Sequence, residues 1–303
     1  MMKKILGASV LLAALLSCGD AGVVRPEVLE VQLIPSRDQE YLNAQRTPLQ
    51  ELLEKELGMK VNVTVATDYN ALIEAMAAKK VHVGFLATTS YVLAADEGHA
   101  EAILKSLRYD VDDQGNLLKD QPLVDGYKSQ LVARADANIK SVQDLKGRKV
   151  AVASFTSTSG FVWPANLLAD NGLDPQKDVT WVNAGGHDKA ILAVYNGEVD
   201  AAFTYKDARN NFKNEPFYND LMQKVVFVLN TSIIPNDTIS VIPSLAPELK
   251  TKIQNAFINI MKDPAGAEIM RKIYSHEGYA PVKDEEYAQV RAYLKRKDSW
   301  DIK

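Results

Sequence analysis

Apolar positions come in short runs, separated by longer stretches in which they recur every three or four residues, and the two patterns take turns along most of the chain. Val28 to Ile34 (VLEVQLI) predicts a buried strand. A polar segment follows, then a helix from about Thr47 to Leu57 that Gly58 stops. Lys60 to Ala66 predicts a second strand, and Ala71 to Lys79 a helix behind Asp68-Tyr69-Asn70. VHVGFL (81–86) predicts a third strand, and YVLAADEG (91–98) a helix behind Thr88-Thr89-Ser90. Such alternation is the grammar of a parallel sheet with helices on its faces.

The pattern weakens from Leu104 to Val124, where Gly115 and Asn116 mark a hairpin or loop, and resumes as a strand in SQLVARAD (129–136). Strands at Lys149 to Ala153, Val179 to Val182, VDAAFT (199–204) and VVFVL (225–229) enclose helices at Gly160 to Asp170 and Lys189 to Asn196. After the strand TISVI (238–242) the chain reads as helices, Ala246 to Met261, Gly266 to Tyr274 and Glu285 to Arg296, with no sheet of their own left to cover. The expectation is an α/β protein of two lobes, residues 27–127 with 238–303 and residues 128–237. Two crossovers, near 125–131 and 230–238, would form a hinge beside a cleft.

Composition adds a leader to this picture. Lys3 and Lys4, an apolar run from Ile5 to Leu16, and Leu15-Leu16-Ser17-Cys18 predict a signal peptide over residues 1–17. The run falls well short of the roughly 20 residues that a membrane-crossing helix needs. Cys18 is the only cysteine among 303 residues, has no disulfide partner to explain it, and stands where a bacterial lipobox places the acylated thiol. Residues 18–26 then read as a lipidated tether that holds a monomer on the outer face of a membrane. Removing residues 1–17, which carry two lysines and no acid, takes the formal charge from −4 to −6, so no nucleic-acid partner is expected.

In open α/β sheets the ligand lies outside the carboxyl ends of the strands, where helix N-termini expose N–H groups. Between KVAVA and the next helix stands Phe155-Thr156-Ser157-Thr158-Ser159-Gly160. Hydroxyls in a row before a glycine offer an oxyanion side-chain and backbone donors in one concavity, whereas a helix cap needs only one of them. Ala184-Gly185-Gly186-His187-Asp188 holds the equivalent place one strand later, with glycines that let the backbone approach a ligand. His82, His99 and His276 fall at no metal-ligand spacing with His187, so neither a metal nor a cofactor is expected. Thr67-Asp68-Tyr69 and Thr88-Thr89-Ser90 fill the facing loops and put Tyr69 and Ser90 on the opposite wall. Tyr127 sits at the first crossover, Asp207 beyond VDAAFT and Asp237 at the second crossover; each alone is equally an ordinary core tyrosine or turn aspartate.

Taken together, YKSQLVARAD, SVQDLKGRKVAV, TSTSGF, GGHDKAILAVYNGEVDAA and IPND, in this order, resemble the phosphonate-, phosphite- and phosphate-binding subunits of ABC transporters over nearly the whole chain beyond its leader. The resemblance implies a type II periplasmic-binding-protein fold, each lobe a mostly parallel sheet flanked by helices, closing on a small phosphorus oxyanion for delivery to a permease. It implies that Ser157, Thr158 and Ser159 form a hydroxyl cradle and that His187 donates to a phosphorus oxygen. Tyr69 and Tyr127 match aromatic donors, and Asp207 and Asp237 match carboxylates that read a protonated oxygen or an ammonium. Other readings stay open: a binder of a larger organic phosphate, a phosphate-ester enzyme on the same scaffold, or a surface lipoprotein that works by protein contact. An enzyme would want a metal cluster or a nucleophile beside a base, and a contact protein an exposed apolar patch.

Overall fold

The computed structural model describes residues 22–300, so the expected signal peptide and Cys18 lie outside the described residues. The chain first runs β1 (Val28–Leu33), α1 (Gln39–Leu57), β2 (Lys60–Val65), α2 (Tyr69–Ala77), β3 (Val83–Leu86), α3 (Thr88–Asp96) and β4 (Glu101–Leu107). A second unit follows with β5 (Gly126–Arg134), β6 (Arg148–Val152), α4 (Trp163–Asp170), β7 (Val179–Asn183), α5 (His187–Tyr195), β8 (Ala201–Tyr205), α6 (Leu221–Lys224) and β9 (Val225–Pro235). It ends with β10 (Thr238–Val241), α7 (Pro247–Ile260), α8 (Pro264–Tyr274), β11 (Gly278–Ala280) and α9 (Ala288–Asp298).

One sheet has the order β11-β4-β10-β3-β1-β2 and the other β7-β6-β8-β5-β9, so the chain leaves the first sheet after β4 and re-enters it at β10. Most strands of each sheet run in one direction, with β10 and β11 reversed in the first and β5 in the second. β1 runs parallel to β2 and β3, and β6 to β7 and β8. In contrast, β10 lies antiparallel between β3 and β4, β11 lies antiparallel beside β4, and β5 lies antiparallel between β8 and β9. Parallel neighbours need a crossover helix within one sheet. β10 arrives directly from the other lobe and is under no such constraint.

Alternate residues Leu29, Val31 and Leu33 of β1 are buried, and Leu42, Leu49, Leu53 and Leu57 of α1 cover that sheet. α1 starts at Gln39, well before the expected Thr47, because the Asp38 side chain accepts the Tyr41 N–H (2.9 Å) as the cap. Pro48, a residue at home in a first turn, lies within the helix. Part of the segment expected to be a tether is docked on the fold. The Val24 N–H donates to the Ser244 carbonyl (2.7 Å) and its carbonyl accepts from Ala246 (3.0 Å), which docks the chain before residue 26.

The two lobes meet face to face. The His187 N–H donates to the Ser36 carbonyl (3.0 Å), the Asp38 N–H to Asp188 (3.1 Å), and the Trp163 ring packs 4.6 Å from that of Tyr293. Among the described residues no helix is long and apolar enough to cross a membrane.

Candidate functional site

Between the lobes, where the carboxyl ends of β1, β2 and β3 face those of β6, β7 and β8, lies a cavity of about 50 Å³. At about 10–15 Å³ for a group the size of a water molecule, this takes roughly four such groups, the size of a phosphorus centre with its substituents. Tyr69, Tyr127, Ser157, Ser159, His187 and Asp237 line it.

The hydroxyl loop is fixed by its own backbone. Ser157 caps the turn that leads into α4: its Oγ accepts the Gly160 N–H (3.1 Å) and lies 3.4 Å from His187 Nε2. A Cβ on Gly160 would stand 2.9 Å from that Oγ and 3.1 Å from the Ala153 nitrogen, so any side chain there displaces the cap. The turn is wide, with the Val162 N–H reaching back to the Ser157 carbonyl (3.1 Å), and Ser129 Oγ holds the Ser159 carbonyl at 2.6 Å.

Three expected residues stand elsewhere. Thr158 Oγ1 accepts the Thr89 N–H (2.8 Å) and donates to Thr89 Oγ1 (2.9 Å), so this hydroxyl ties the lobes together. Ser90 is fully buried in the first turn of α3, and its Oγ has no hydrogen-bond partner among the described residues. Asp207 is not a ligand carboxylate in this geometry: it caps the Arg209 backbone N–H (3.0 Å) and pairs with the Arg209 guanidinium (2.5 Å and 2.9 Å), beside a different cavity.

Other residues enter that sequence reading missed. Arg108 follows β4, a strand hidden in the weak stretch, and its Nη2 donates to Asp237 Oδ2 (3.1 Å) while the guanidinium sits 4.9 Å from the centre of the Tyr127 ring. Tyr205, Tyr274 and His276 also line the cavity, the last two at the C-terminal end of α8, outside the strand-to-helix loops that the pattern favoured. The site is thus not built of uncharged donors alone.

Burial sets the protonation states. It pushes the His187 imidazole down to about 3 and His276 well below its ordinary value, so both rings are neutral donors near neutrality. Burial likewise raises the phenols of Tyr69 and Tyr127, which keep their protons. At Asp237 burial raises the pKa; Arg108 and then the Thr88 backbone N–H oppose it without cancelling the rise. The cavity therefore offers hydroxyl and imidazole donors, two guanidinium cations, Arg37 and Arg108, and one carboxylate, Asp237, able to accept a proton from a partly protonated oxyanion.

The described geometry has clear relatives. The family model for the periplasmic substrate-binding protein of phosphonate ABC transporters matches residues 31–287. The phosphate-import protein PhnD of Mycolicibacterium smegmatis is 30% identical over 283 residues, 88% of this chain and 84% of that protein. The phosphonates-binding periplasmic protein of Escherichia coli is 27% identical over 260 residues, 84% of this chain and 71% of that one. A phosphonate-transporter binding protein of Pseudomonas aeruginosa shares the fold at a TM-score of 0.76 and 21% identity, over 90% of this chain and 87% of that one. The two-lobed architecture is that of type II periplasmic binding proteins, and the chain belongs to the family of periplasmic phosphonate-binding proteins of ABC transporters.

Proposed function

We propose that this protein captures a small phosphorus oxyanion, a phosphonate, phosphite or phosphate, in the interlobe cavity and presents it to an ABC permease. It acts by binding, not turnover, as a monomer held outside the cell membrane by diacylglycerol on Cys18 after removal of residues 1–17. Residues 27–127 with 238–303 form one lobe and 128–237 the other. Tyr69, Tyr127, Ser157, Ser159, His187 and Asp237 touch the ligand, with Arg108 beside them, while Thr158 acts through closure.

The observation that carries this reading is the cavity itself: hydroxyls, a neutral imidazole and the Arg108–Asp237 pair converge on a space sized for one tetrahedral anion. The names of the relatives, which import phosphate or bind phosphonates, point the same way. Calorimetry of the purified mature protein with inorganic phosphate, phosphite and methylphosphonate tests it. At least one should bind, and His187→Ala should weaken that binding by about tenfold or more, about 1.4 kcal/mol. No binding of any of the three would overturn the reading.

A further inference from the structure

A second cavity, about 500 Å³, adjoins the phosphorus site, and Arg108, Tyr205 and Ser275 line both. A space for a tetrahedral head thus adjoins a space ten times larger. Most charges around the larger cavity are matched: Arg271 holds Glu277 (2.6 Å), Lys206 holds Asp113 (3.0 Å), and Asp207 holds Arg209. Lys119 and Lys213 are the exceptions. Among the described residues neither has a carboxylate in ion-pair range, and the Lys213 ammonium donates only to the Gly115 carbonyl (2.9 Å). The two carboxylates that sequence reading offered to an ammonium are both occupied by arginines, Asp207 by Arg209 and Asp237 by Arg108.

We infer that the larger cavity is a subsite for the substituent of the ligand, and that this substituent carries a second negative charge, a carboxylate or second phosphoryl group met by Lys119 and Lys213. The inference rests on the phosphorus site proposed above. Both lysines are exposed, and an uncompensated ammonium at the rim of the cavity attracts such a group and repels an ammonium.

Calorimetry with methylphosphonate, 2-aminoethylphosphonate, phosphonoacetate and 3-phosphonopropanoate tests it on the mature protein. At least one carboxylate-bearing compound should bind about tenfold or more tighter than methylphosphonate, and 2-aminoethylphosphonate should gain nothing. The double variant Lys119→Met/Lys213→Met should abolish the gain and leave methylphosphonate affinity within about twofold, which also shows that the variant is folded. Carboxylates that bind no tighter than methylphosphonate, or a gain that survives the double variant, overturn the subsite and leave the phosphorus site standing. If none of the four compounds binds, the subsite is overturned, and the phosphorus site stands only if inorganic phosphate or phosphite binds.

Discussion

The Asp207 side chain is fully buried and engages the Arg209 guanidinium through both carboxylate oxygens. Removing one member of a buried pair leaves the other charge without compensation, at a cost of about 3–5 kcal/mol. Asp207→Asn should therefore lower the urea midpoint sharply, while the fraction that stays folded binds methylphosphonate as before. A fall in affinity without loss of stability would return Asp207 to the binding site.

His187 makes a second test at the same scale. Its pKa falls from 6.5 in the unfolded chain to about 3 in the folded protein because burial disfavours the charged ring. The unfolded chain thus binds more protons below pH 6.5, so the stability from this residue is complete above about 6.5 and is lost as pH falls toward about 3. At pH 5 the loss is on the order of 2 kcal/mol. Asp237, raised by burial, works in the opposite sense at acid pH, so the isolating comparison is with His187→Gln. Urea midpoints at pH 7 and pH 5 should differ less in that variant; an equal difference would show that burial does not keep the ring neutral.

At the scale of elements, the beginnings of α3 and α4 are joined across the interface by Thr89 and Thr158. Thr158→Val removes both bonds to Thr89, and at about 0.5–1.5 kcal/mol each it should weaken methylphosphonate binding by destabilising closure. If Thr158 acts through Thr89, the change in affinity with Thr89→Val and with both substitutions should be non-additive by about 0.5–3 kcal/mol. Strict additivity would instead favour direct contact of each hydroxyl with the ligand. The hydroxyl run was legible because its composition is unusual at a helix start, but which hydroxyl faces the cavity was not. Successive side chains there differ in direction, and that direction depends on the wide turn that Ser157 and Gly160 stabilise. β4 went unread for another reason: its burial alternates irregularly along Glu101–Leu107, so no period of two stands out.

For the molecule as a whole, the two crossovers lie side by side. Asn236 donates its backbone N–H to the Asp125 carbonyl (3.0 Å) and its buried side-chain amide to the carbonyls of Ser106 (2.8 Å) and Val124 (3.2 Å). Gly126 of β5 pairs with Pro235 of β9, so any hinge motion must pass through this antiparallel pair. The amino-acid sequence alone determined the order of most strands and helices, the return of the chain to its first sheet, and the loops that bear the hydroxyls lining the cavity. Those follow from local periodicity, caps and turn residues, which act over a few positions. Only tertiary structure decided which charges meet. Arg108 and Asp237 are 129 residues apart, and their pairing, like that of Lys206 with Asp113, follows from how the sheets pack and the lobes close.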